Sequence, residues 1–116
     1  MDYWMTLQKF VKENKICIDR PKGSCHPVYN EVIYPFNYGY LSGTTAMDGS
    51  GIDIFVGSMS GNRINGIICT ADDLKKDAEI KIIYDCSDEE INTVLQFMNK
   101  GHMRGIFVKN PNLVLK

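Results

Sequence analysis

What most limits the fold of this chain is the tight spacing of its short β-rich runs, which leaves no room between them for crossover helices. Lys15-Ile16-Cys17-Ile18-Asp19 alternates like a strand and stops at the turn-forming Pro21-Lys22-Gly23-Ser24. Tyr38 to Thr45 reads as a strand with a Gly-marked bend, and Ile52 to Val56, Ile64 to Thr70 and Glu79 to Tyr84 are three further runs. Gly105 to Lys109 reads as a last short strand. Residues 21–36 contain Pro21, Gly23, Pro27 and Pro35, which predicts an irregular loop and not a helix. Parallel strands joined by a helix need about a dozen connecting residues. The pattern therefore predicts an α+β fold, mostly β: a small OB-like barrel of about five strands with an N-terminal and a C-terminal helix packed on it.

The two helices carry their own signals. In residues 2–13, Trp4, Leu7, Phe10 and Val11 fall on one face and Gln8, Lys9 and Lys12 on the other, with Asp2 as the cap. Ser87-Asp88-Glu89-Glu90 is a capping box that opens a helix to about Lys100, ended by Gly101. Ile91, Val94, Leu95 and Met98 are its predicted buried face.

A chain of 116 residues that is 44% hydrophobic fits a single domain over 1–116 with one compact core. It contains no apolar run near the roughly 20 residues that span a bilayer, and its first residues lack a signal-peptide pattern, so no membrane partner and a cytoplasmic location are expected. Cys17, Cys25, Cys69 and Cys86 are widely separated and form no C-x-x-C pair, which argues for reduced packing residues over a zinc site. A net charge of -1 gives no basic field for nucleic acid. The aromatic run Tyr34, Phe36, Tyr38 and Tyr40 could in principle stack single-stranded bases, but the overall acidity argues against that partner.

Two acidic segments carry the chemistry. Met47-Asp48-Gly49-Ser50-Gly51-Ile52-Asp53 sets carboxylates on either side of a flexible turn, and Asp53 opens a strand. Carboxylates without His or thiolate partners suit hard cations such as Mg²⁺ or Mn²⁺. An EF-hand is excluded, because Met59 stands where a bidentate Glu is required. Read alone, the segment is better explained as an ordinary Asp-Gly hairpin turn. The second segment, with Asp72, Asp73 and Asp77, lies between two predicted strands and is read alone as a solvated loop.

Ahead of both stands Tyr34-Pro35-Phe36-Asn37-Tyr38-Gly39-Tyr40. The order Y-P-x-N-Y-G-Y, then D-G-x-x-x-D, then D-x-x-x-x-D resembles the soluble, Mg²⁺-dependent inorganic pyrophosphatases of the barrel type, over roughly residues 15–100. The resemblance implies hydrolysis of pyrophosphate, or a related diphosphate, to phosphate. It implies Asp48, Asp53, Asp72 and Asp77 as the metal ligands, and Tyr34 and Tyr38 as tyrosines near the substrate. Arg20 and Lys22, in the basic stretch before this motif, become the candidate phosphate contacts, with Ser24 and His26 beside them. A homo-oligomer is implied as well.

The match departs from the family pattern at informative places. The family signature is D-x-D-x-x-D, and its middle carboxylate, which helps activate water, is Ser50 here. Asp53, Tyr38 and Ser50 are thus the candidate catalytic positions, with the general base missing. Met98 and Asn99 stand where the family has Tyr-Lys, and Glu79 stands at a position the family keeps basic. These departures leave open an alternative, a non-catalytic pyrophosphatase-like protein that binds phosphate compounds as a regulator.

Overall fold

The computed structural model describes residues 1–113. In chain order it contains α1 (Tyr3–Glu13), β1 (Ile16–Arg20), β2 (Asn37–Leu41), β3 (Ile52–Val56), β4 (Ile64–Asp72), β5 (Asp77–Tyr84), α2 (Asp88–Phe97) and β6 (Met103–Lys109). The fold is α+β and mostly strand, as the sequence predicts. The six strands form one sheet in the order β1-β2-β3-β5-β4-β6. The six strands fit the expected number of about five, and one expectation needs correction: the sheet does not close into a barrel.

The reason lies in the side chains on the two faces. Successive strand residues point to opposite sides, and here both sides are apolar at the centre. Ile52, Ile54, Ile67 and Ile82 lie on one face, Phe55, Ile68 and Ile83 on the other. A closed barrel has one interior to fill. This sheet has two apolar faces, and a helix covers each.

On the first face α1 contributes Leu7 and Val11, with Trp4 and Phe10 partly buried beside them. Its start is fixed by Asp2, whose carboxylate accepts a 2.8 Å hydrogen bond from the Met5 N–H. On the second face α2 contributes Val94, and Met98 just after it joins Tyr34 and Cys86 to complete the cluster. Each fully buried Phe, Leu or Ile contributes about 1.5–3 kcal/mol relative to exposure. The capping box of α2 forms as predicted, though its regular turns end at Phe97, short of Lys100.

The topology holds one pairing that strand spacing alone does not suggest. β3 and β5 run parallel, with Asp53 opposite Lys81 and Phe55 opposite Ile83. No helix joins them. The chain leaves β3, passes over the end of β5 to form β4, then turns back through a hairpin and lays β5 between the two. The crossing segment is tied to β5 by hydrogen bonds from Gly57 N–H to the Tyr84 carbonyl and from Met59 N–H to the Asp85 carbonyl, both 2.9 Å. The buried Asp85 carboxylate accepts the Arg63 N–H at 2.8 Å.

The acidic segment 72–77, expected to be a loop, is the tip of this hairpin. Asp72 and Asp77 are cross-strand partners, and Lys76 turns the chain with a positive φ of 58°. Among the described residues, no helix is long and apolar enough to cross a membrane.

Candidate functional site

The alternation that turns Phe55 and Ile83 toward α2 turns Asp53 and Lys81 to the same face, further along their strands. There they meet Tyr38 and Tyr40 of β2 and Asp77 and Glu79 of β5. The result is a pocket of about 480 Å³ lined by Asp48, Asp53 and Asp77, with Asp19, Arg20, Tyr38, Ser50, Lys75, Glu79 and Lys81. Three of the four carboxylates singled out in the sequence therefore come together from two separate stretches of chain.

Each arrives for a local reason. Asp48 sits in the turn after β2, where Gly49 takes a φ of 84° that only glycine adopts without strain. Its Oδ1 accepts the Ser50 N–H at 2.9 Å, which fixes the turn and sets Ser50 on the pocket rim. Asp53 projects from β3. Asp77 stands exposed at the hairpin tip, and its carboxylate makes no hydrogen bond among the described residues.

Asp72 is placed differently. It lines a neighbouring depression with Asp73, His102 and Arg104. Its Oδ1 accepts the backbone N–H groups of Leu74 and Lys75, both at 3.0 Å. The Lys75 donor, joined by that of Leu74, holds its carboxyl below the usual range against the opposing effect of burial. Asp72 shapes the hairpin tip and does not line the main pocket.

The centre of the pocket is Lys81, which sequence reasoning missed. It is only 5% exposed. Its Nζ donates to Asp53 Oδ2 at 3.0 Å, to the Tyr38 hydroxyl at 3.1 Å and to Glu79 Oε2 at 3.3 Å. An ammonium has three N–H donors, and all three are used. Burial pulls its pKa down, but the contacts with Tyr38 and Asp53 outweigh this and hold it above the ordinary lysine value. Burial raises the Tyr38 hydroxyl well above its ordinary value, with Lys81 opposing and Asp53 adding, so Tyr38 stays a neutral phenol. One sequence signal was available: in Glu79-Ile80-Lys81-Ile82, the two charges alternate with isoleucines and so share one face. The partner strand was not legible, because β3 is distant in sequence.

Of the basic candidates, Arg20 lines the pocket and Lys22 does not. The Arg20 guanidinium donates to the Tyr34 hydroxyl and lies 5.4 Å from the Tyr34 ring centre. Lys22 is exposed and rests over Phe36, at 5.5 Å from the ring centre. Tyr34 is buried among Tyr38, Phe97 and His26, so it acts on the pocket through Arg20. His26 holds its own loop: its Nδ1 accepts the N–H groups of Val28 and Tyr29 at 3.0 and 3.2 Å. Asn99 ties the end of α2 to Gly105 of β6, and Met98 is core.

The donor set suits a hard cation, since the pocket's ligating groups are carboxylates with no thiolate or imidazole among them. As the side chains stand, no three His, Cys, Asp or Glu groups among the described residues are close enough to share one ion. Asp48 is engaged in its turn and Asp53 with Lys81. Comparison of the chain with protein-family models finds no matching family, and comparison with curated proteins finds no significant match.

Proposed function

We propose that this pocket binds pyrophosphate, or an organic diphosphate, together with Mg²⁺ or Mn²⁺, and hydrolyses the phosphoanhydride with one water to give two phosphate products. The observation that carries the reading is the meeting of Asp48, Asp53 and Asp77 with Arg20, Lys75 and Lys81 in one pocket. A phosphate compound is strongly anionic, so it needs both kinds of charge: basic side chains to contact its oxygens directly, and carboxylates to bring in a divalent ion. The sequence likeness to inorganic pyrophosphatases supports the same assignment.

Asp48 and Asp77 are the carboxylates that would hold the ion, and Asp53 lines the same pocket paired with Lys81. When bound, the ion supplies charge neutralisation and a water of lowered pKa. Arg20 offers a planar fork of donors to phosphate oxygens. Tyr38, a neutral phenol, orients Lys81. Ser50 lines the pocket at the position where the family signature has its water-activating carboxylate, and a hydroxyl is no base at neutral pH. A missing general base costs about 10²- to 10⁴-fold in rate, so turnover is slow.

One observation favours a second reading, a non-catalytic phosphate-binding or regulatory protein: Asp53 is already neutralised by Lys81, and Ser50 brings no charge. Phosphate release from a panel of diphosphates, with and without Mg²⁺, separates the two. Mg²⁺-dependent release that Asp77→Asn abolishes supports the enzyme, and Ser50→Asp is expected to raise it. Tight binding by calorimetry without release supports the regulator. No binding and no release removes both. We place the protein in the cytoplasm and expect self-association through sheet edges, since β1 and β6 are the outer strands and Ile18 and Ile106 are exposed there.

A further inference from the structure

We propose that the Lys81 ammonium is a resident, tethered cation at Asp53 and Glu79, occupying the place a divalent ion would otherwise take between those two carboxylates. The inference deepens the reading above, since it divides the pocket into an Asp53 side filled by the chain itself and an Asp48–Asp77 side left for a metal carried with the ligand. Three facts support it. Lys81 is centred in β5, one of the two innermost strands, so its backbone is fixed by neighbours on both sides. Its head group contacts both carboxylates and the Tyr38 hydroxyl at 3.0 to 3.3 Å, and its charge sits 5.4 Å from the Tyr38 ring centre. The side chain is almost wholly buried.

A covalently attached cation is not lost by dilution or chelation, and a free ion competes with it only by expelling a buried side chain. Asp53 and Glu79 are therefore closed to Mg²⁺ or Mn²⁺ in the intact protein. Deleting the charge while keeping the stem leaves two facing carboxylates, about a fifth exposed on their side chains, with nothing between them. That pair is a hard-cation site waiting to be filled.

The experiment is Mn²⁺ titration without any phosphate compound, followed by calorimetry and electron paramagnetic resonance, on wild type, Lys81→Met and Lys81→Met/Asp53→Asn. Lys81→Met is expected to gain a Mn²⁺ site at least about tenfold tighter than any in wild type, and the second substitution to remove it. A Lys81→Met protein that binds as wild type does, or a gain that survives loss of Asp53, overturns the inference. Lys81→Gln, which keeps a donor for Tyr38, gives the same comparison if the methionine variant fails to fold. None of these readouts uses pyrophosphate, so failure of the proposed hydrolysis and failure of this assignment are told apart.

Discussion

Replacing Glu90 by Ala tests how the first turn of α2 is held to the sheet. The Glu90 carboxylate accepts the Ser58 N–H at 3.1 and 3.2 Å and the Ser87 N–H at 2.9 Å. It therefore ties the first turn of α2 to the segment that crosses from β3 to β4. Alanine leaves two partly buried backbone donors without partners. Hydrogen bonds to a charged group are worth about 1.5–3 kcal/mol each, and partial access of water places the sum near the low end, about 3 kcal/mol. For a chain of this size that is a fall in Tm on the order of 10 °C.

Urea denaturation and thermal scans at neutral pH measure it, with Glu90→Gln as a control that keeps an acceptor and loses only the charge, at about 1 kcal/mol. The sign with pH follows. Burial raises the Glu90 carboxyl, but the Ser87 and Ser58 donors outweigh it and hold the group below its ordinary value of 4.5. A depressed carboxyl stabilises the fold above its unfolded pKa and stops doing so as pH falls through the folded one. The stability gap between wild type and Glu90→Gln is expected to close as the solution is taken from neutral to below that range. An alanine variant within about 0.5 kcal/mol of wild type, or a gap indifferent to acid, would refute the argument.

Two further outcomes concern the sheet and the ligand. Gly39→Ala puts a Cβ 1.9 Å from the Cys17 carbonyl oxygen, which is backbone and cannot rotate away; β1 is expected to detach, with hydrogen exchange rising along Ile16–Arg20 while β4 and β5 stay protected. Arg20→Gln is expected to weaken pyrophosphate binding about 10- to 100-fold in calorimetry, the worth of one charge-assisted contact, and unchanged affinity would remove Arg20 from the site.

What the sequence made legible was what local chemistry decides. The two helices are set by Asp2, the Ser87–Glu90 box and a 3.6-residue period, all within a few positions of each other. Strand existence was legible from alternation, but β4 and β5 run further than read, since Asp72 and Asp77 pair across a hairpin that carries no glycine at its turn. Strand order was not legible, because the β3–β5 pairing depends on a distant segment. The pocket followed the same division. Asp48, Asp53, Asp77, Ser50, Tyr38 and Arg20 were found through motifs. Lys22 and Asp72 were assigned with them but are held elsewhere, by Phe36 and by the hairpin backbone. Lys81 went unnoticed, because a lone lysine in an isoleucine run gains its meaning only when β3 is laid beside it.

The insertion of β5 between two strands that precede it also bears on synthesis and folding. Until that segment emerges, β3 and β4 each present an unpaired flank rich in isoleucine, and neither can satisfy the other because the gap is one strand wide. Such flanks are templates for pairing with other chains. A polypeptide halted anywhere before Tyr84 is therefore expected to be sticky, and the completed one is protected by its own late-arriving centre.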